Sequence, residues 1–415
     1  MPLGPLSPHA RWLESETDRL LHFAQGSRLR DGGFGMLDDD GNVDPAAPVD
    51  LLITCRMTHV FALGSLLGRA GGGLLCDHGI HALQHIFKDH VNGGWLREKG
   101  ATAADAAGSR KEAYAHAFVL LAAASATAAG RPRGRELLDD AVAVIEKYFW
   151  SEDEGRSLES WDAAFTTTED YRGANSNMHS VEAYLAAASA TGDQVWVQRA
   201  LRISDWLINR VARANHWRIV EHYSGAGEED REYNADDKAH QYRPYGATIG
   251  HAFEWARLLL HLRAELGTLA PGWLLEAAVE LYANAWAEGW TGDGFVYTTD
   301  WSGRPVVPAR LHWVIAEAIG ASAALAAATG EAWYAHQYQL LWDHAAVHFL
   351  DLERGSWHHE LDEANQPSAS VWSGKPDIYH ALQTTLIPRL PLAPALAFAL
   401  AAGQLDVPGV GHLGY

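Results

Sequence analysis

Gly32-Gly33-Phe34 returns as Gly93-Gly94-Trp95, and further versions of this glycine–aromatic turn follow. They are Gly155 with Leu158, His216-Trp217, Gly292-Asp293-Gly294-Phe295 and Gly355-Ser356-Trp357. From Gly33 onward the intervals are 61, 61, 62, 77 and 62 residues. A fixed period of that length marks a repeated supersecondary unit, here six copies with two degenerate turns.

Between the turns, apolar residues recur at three- and four-residue spacing, the signature of helices packed on one face. Twelve segments show it: Trp12–Phe23, Leu51–Leu67, Leu74–Phe87, Tyr114–Ala123, Leu137–Phe149, Val181–Ala190, Val195–Val211, His251–Leu262, Leu274–Trp286, Leu311–Ala327, Trp333–Phe349 and Ile378–Ala401. Glycines end several of them, at Ala129-Gly130, Thr191-Gly192 and Thr329-Gly330. Two helices per repeat and no regular strand-like runs predict an all-α fold, an (α/α)6 barrel of six helical hairpins. An open α-solenoid is the alternative. No linker interrupts the pattern, so residues 1–415 read as one domain with its site at one mouth of the barrel.

Polar side chains keep the same period. Near the start of each second helix stand Arg56 with His59, Tyr114 with His116, Asn175 with His179, His251 with Glu254, His312, and Tyr379 with His380. In a closed toroid these starts converge, bringing imidazoles, a guanidinium and a carboxylate into one cavity. His251 and Glu254, three apart, share a helix face, and Glu254 is expected to fix the His251 tautomer. Arg243, in the Pro/Gly-shaped approach Gln241–Gly250, is a candidate ligand for an anion or hydroxyl.

Composition narrows the partners. The formal net charge of -20 repels phosphate backbones, so no nucleic-acid partner is expected. The apolar stretches 115–129 and 391–402 are too short or too alanine-rich to read as membrane spans. The start Met1-Pro2-Leu3-Gly4-Pro5 lacks the pattern of a signal peptide, and a cytoplasmic protein is expected. The two cysteines, Cys55 and Cys76, form neither a disulfide framework nor a metal spacing. The densest ligand cluster, His358-His359-Glu360, puts adjacent histidines on opposite sides of an extended segment, and no H-E-x-x-H motif exists. No metal or cofactor is therefore expected. One G-x-G-x-x-G match, Gly409 to Gly414, ends one residue before the last, Tyr415, with no helix expected to follow. Two classes rival an imidazole-based enzyme. Asp105, Asp162, Asp236 and Asp237 are the carboxylates a glycosidase on this scaffold would use. A non-catalytic sugar-binding protein is the other.

The motifs Thr54-Cys55-Arg56-Met57-Thr58-His59, Asn175-Ser176-Asn177-Met178-His179, Arg243–Trp255 and Gly374-Lys375-Pro376-Asp377-Ile378-Tyr379-His380 resemble the N-acylglucosamine 2-epimerase superfamily over nearly the whole chain. They are most similar to its branch of mannose and sulfoquinovose isomerases. The epimerase branches approach the last histidine through a Trp-Lys-Gly-Pro-type segment, whereas Lys375-Pro376-Asp377-Ile378-Tyr379 stands here. The resemblance implies that Arg56, His179, Arg243, His251, Glu254 and His380 match active-site positions. It implies that Tyr114, Asn175, Trp313 and Asp377 match pocket positions. The implied substrate is a small monosaccharide and the implied reaction D-mannose to D-fructose, with D-lyxose to D-xylulose as a relative. Sulfoquinovose isomerisation and 2-epimerisation are the alternatives within the family. In that reading Arg56 stabilises an enediolate, His380 shuttles the proton between C2 and C1, and His251 serves the oxygens, though the two histidines' roles are interchangeable at this stage.

Overall fold

The computed structural model describes residues 6–102 and 105–407. The N-terminal pentapeptide and the Gly409–Gly414 match lie outside them. Six outer helices alternate with six inner ones. The outer set is α1 (Pro8–Ala24), α3 (Gly72–His85), α5 (Gly134–Val144), α7 (Val195–Ser204), α9 (Trp273–Gly289) and α11 (Ala332–His348). The inner set is α2 (Leu51–Leu66), α4 (Ala113–Ala128), α6 (Ala174–Thr191), α8 (Ile249–Leu266), α10 (His312–Thr329) and α12 (Tyr379–Leu386). Both α5 and α7 continue as π-helical turns, through Phe149 and Ala212.

Of the inner helices, α2, α4 and α10 are predominantly apolar on every face, as helices enclosed on all sides tend to be. By length and composition α10 alone among the described residues is apolar enough to cross a membrane, and it is buried inside the barrel. Neighbouring inner helices pack in the order α2, α4, α6, α8, α10, α12, and α12 returns to α2. That last contact closes the ring and rules out the open solenoid. Gly192 and Gly330, at φ of 75° and 72°, end α6 and α10 where the sequence predicts.

The glycine–aromatic turns follow the outer helices and close tight antiparallel bridges: Arg28 with Phe34, Lys88 with Trp95, Trp150 with Ser157, Trp290 with Phe295, and Leu350 with Trp357. The fourth copy lacks glycine, and there His216 and Trp217 themselves take positive φ, 54° and 64°. The long loops that return to each inner helix pair with those of the next repeat. Asp50 bridges Glu98, Lys111 pairs with Trp161, Arg172 with Tyr223, Ala247 with Thr299, and Arg310 with Leu361. These pairs stitch consecutive repeats around one mouth and fix the start of each inner helix there.

One predicted segment is corrected. Ile378–Ala401 is not a single helix: α12 ends at Leu386, and α13 (Leu396–Ala401) follows a break. Pro388, Pro391 and Pro394 remove the backbone donors that a continuous helix requires.

Candidate active site

The mouth opens into a concave cleft of the kind that takes a small ligand. Each inner helix contributes to its wall: Arg56 from α2, Tyr114 from α4, Asn175 and His179 from α6, His251 and Glu254 from α8, His312 and Trp313 from α10, and His380 from α12, which Asp377 precedes. Thus the periodic positions converge as expected, except for two histidines, and the loop candidate Arg243 stays apart from them. His59 lies deeper, bonded to Ser125 Oγ at 2.8 Å. His116 is structural, accepting from the Trp95 amide while its Nδ1 contacts the Glu112 carbonyl. Arg243 is taken up by Glu169, at 2.7 and 3.1 Å, and faces a neighbouring cavity instead of the histidines.

Two imidazoles of the cleft are held by carboxylates. The Nδ1 of His251 lies 2.9 Å from Glu221, and that of His380 lies 2.9 Å from Glu317. A carboxylate at Nδ1 holds the proton there and leaves the lone pair of Nε2 for a ligand in the cleft. Trp313 stands between them, its ring 5.3 Å from His251 and 5.9 Å from His380. The expected partner of His251 was Glu254, and this is corrected. Helical side chains lean toward the N-terminus, so the His251 ring reaches toward the mouth while Glu254 stays one turn below, 3.9 Å from His179.

Below the imidazoles lies a charged layer. Arg257 donates to Glu317 at 2.9 Å and stands 3.5 Å from Glu254. Glu182 accepts from Gln383 and from the Tyr379 hydroxyl, and its Oε2 lies 3.4 Å from His179. Burial, with Glu317 nearby, pushes the Glu254 carboxyl well above the usual carboxylate range, and its Oε1 has no hydrogen-bond partner. Burial also holds His179, His312 and His380 below the ordinary imidazole value, His312 at about 4. They stay uncharged at neutral pH. Two sets of carboxylates and imidazoles here, His179 with Glu182 and Glu254, and Glu254 with Glu317 and His380, are close enough to hold a cation. The guanidinium of Arg257 already provides the positive charge beside them.

Arg56 is held on three sides. It donates to Asp377 at 3.0 Å and to the Tyr114 hydroxyl at 3.0 Å, and it lies over the Phe118 and Tyr379 rings at 4.8 and 4.9 Å. Such stacking and forking suit guanidinium and not ammonium. Asn175 Oδ1 and His312 Nε2 are buried without partners, so the cleft keeps acceptors and donors unspent.

Sequence reasoning missed Glu221, Glu317, Glu182, Arg257, Tyr242 and Trp372. A signal existed for two of them: Glu317 and Glu182 are the only formally charged residues in α10 and α6. A lone carboxylate in an apolar inner helix must have a partner inside. His359, set aside with the metal cluster, lines the cleft and stacks on His312 at 3.7 Å. Its neighbour His358 turns to Asp351. The rival carboxylates do not meet in the cleft: Asp105 and Asp162 cap their own loops, while Asp236 and Asp237 are exposed.

Gly250 shapes the site without touching a ligand. A Cβ there would meet the Trp313 ring at 2.1 Å. Gly250→Ala is therefore expected to push Trp313 into the cleft and lower kcat/KM about 10-fold or more, since small misplacements weaken catalysis steeply. Unchanged steady-state kinetics would remove Trp313 from the positioning of substrate.

The N-acylglucosamine 2-epimerase family model matches residues 32–384. The chain belongs to this family. A D-mannose isomerase of Thermobifida fusca is 53% identical over 399 residues, covering 95% of this chain and 97% of that relative. A D-mannose isomerase of Pseudomonas cannabina pv. alisalensis is 48% identical over 399 residues, 95% of both chains. A crystal structure of D-mannose isomerase superposes with a TM-score of 0.84 at 27% identity, over 92% of this chain and 98% of that one. The family's known architecture thus agrees with the closed ring described above.

Proposed function

We propose that this protein interconverts D-mannose and D-fructose through a cis-enediolate, without a metal ion. The observation that carries the reading is the pair of carboxylate-oriented imidazoles, His251 and His380, either side of Trp313. Near-full-length likeness to D-mannose isomerases supports the choice of sugar.

After ring opening, O1 is a carbonyl oxygen and C2 carries a weakly acidic hydrogen. His380 Nε2 removes that proton, and the electron pair moves through C1–C2 onto O1. Returning the proton to C1, with loss of the O2 proton and gain of one at O1, gives the 2-ketose with all atoms balanced. We give His380 this role because it stands three residues after Asp377, the carboxylate that holds Arg56, and lines the cleft with both. Base and developing negative charge then lie together, and Arg56 stabilises the enediolate without losing its proton. His251 serves ring opening and the oxygen protons, with Glu254 in the layer below it. His179, Tyr114, Asn175, Trp313 and Asp377 hold the sugar or its ligands. Arg243 acts only from the adjoining cavity, through Glu169.

The test is proton NMR in D2O with D-mannose after exhaustive EDTA treatment. Fructose is expected as the main product, with C1 carrying the transferred hydrogen in part and solvent deuterium where the imidazole exchanges first, and with turnover undiminished by the chelator. Glucose as the dominant early product would assign a 2-epimerase. Activity lost on chelation and regained with Mn2+ or Zn2+ would assign a metal-dependent isomerase.

A further inference from the structure

On the outer wall, α11 presents His344 and His348 four residues apart, with ring centroids 4.7 Å from each other. Opposite them stands Asp293, from the turn that follows α9. Its Oδ1 is 3.7 Å from His344 Nδ1 and its Oδ2 is 3.7 Å from His348 Nε2. Those separations are too long for hydrogen bonds. They are close to the edge of about 3.3 Å expected between ligand atoms set about 2.0–2.1 Å from a tetrahedral ion. His344 is 8% exposed, and its Nε2 is buried without a partner. The ring atom turned toward Asp293 is Nδ1, the one that a ligand between them would take.

We propose that Asp293, His344 and His348 form a site for one divalent transition-metal ion of the zinc type. Two imidazoles and a carboxylate are the donor set that such borderline cations take, with water completing the shell. The positive group nearby is Arg310, which donates to the Asp293 and Thr291 carbonyls and to Asn365; Asp362 and Glu363 face it.

The ion is a brace and not a reactant. Arg310 and Asn365 bind the Asp293 carbonyl, and Arg310 belongs to the strand that leads directly into His312 and pairs with Glu360–Leu361. A metal at Asp293 ties α11 to the turn behind that wall of the cleft.

The experiment uses tag-free full-length protein, stripped with EDTA and returned to chelator-free buffer. Titration calorimetry with ZnCl2 is expected to show one saturable ion per chain at micromolar concentration, and Zn2+ to raise Tm by a few degrees. His348→Ala and Asp293→Asn, both on solvent-facing side chains, are expected to weaken this binding at least 10-fold and abolish the Tm rise. Both are expected to keep the metal-free turnover of the parent. Zn2+ binding by the variants equal to the parent's, or no saturable binding by the parent, overturns the assignment. If one variant fails to fold, the other decides.

Discussion

Replacing His380 by alanine is expected to lower kcat for mannose isomerisation by 10²-fold or more, the usual contribution of a general acid–base group. The side chain lines the cleft, so its removal enlarges an open space and leaves Glu317 still bound to Arg257. Folding should therefore survive, which circular dichroism and Tm would confirm. Glu317→Gln separates chemistry from position. An amide at this place keeps a hydrogen bond to Nδ1 but no longer enforces the tautomer, so kcat should fall while KM changes little. The pH profile gives a further check. Burial and Arg56 hold His380 well below the ordinary imidazole value near 6.5, so the base stays uncharged as the pH falls through that value. The acid limb contributed by His380 should appear only below it. Retention of activity within a few-fold in His380→Ala would transfer the carbon proton to His251.

Arg56→Ala is expected to lower kcat by about 10²–10³-fold, the effect of removing one preorganised stabiliser of an oxyanion. It should also lower stability by about 3–5 kcal/mol, because Asp377 is left as a buried, unpaired charge. The double variant Arg56→Ala with Asp377→Asn distinguishes the two effects. Asparagine retains an oxygen to accept the Tyr379 amide at the position now held by Oδ1, at 2.8 Å. Tm should recover in the double variant while kcat does not. Recovery of turnover together with Tm would make Arg56 a structural residue only. Thermal unfolding and steady-state kinetics on the two variants decide between these outcomes.

The toroid was legible because period and burial are properties of the chain itself. The turn spacing predicted six hairpins, and apolar spacing located both helices of each. The interrupted end of Ile378–Ala401 was misread because periodicity continued across three prolines whose missing donors should have overruled it. The cleft was legible in part for the same reason: Arg56, Tyr114, His179, His251, His312 and His380 sit at equivalent starts. Their supporting carboxylates were not. Glu221 comes from the long loop that leads into α8, 30 residues before His251, and Glu317 from the neighbouring inner helix, so no helical spacing links either to its histidine. The His251–Glu254 pairing failed because a shared helix face says nothing of how the side chains tilt along it. Arg243 failed because Glu169, 74 residues away in the chain, claims it.

The contact of α12 with α2 has a consequence for how this protein is made. Arg56 emerges from synthesis in the first hairpin and its carboxylate partner Asp377 in the last, 321 residues later. Until the final hairpin docks, α2 has no neighbour on one side and Arg56 carries its charge against an apolar wall. Nascent chains therefore spend most of their synthesis with an unsealed seam, exposed to aggregation and to chaperone capture. Turnover appears only when that seam shuts, so activity reports the completion of folding and not its progress.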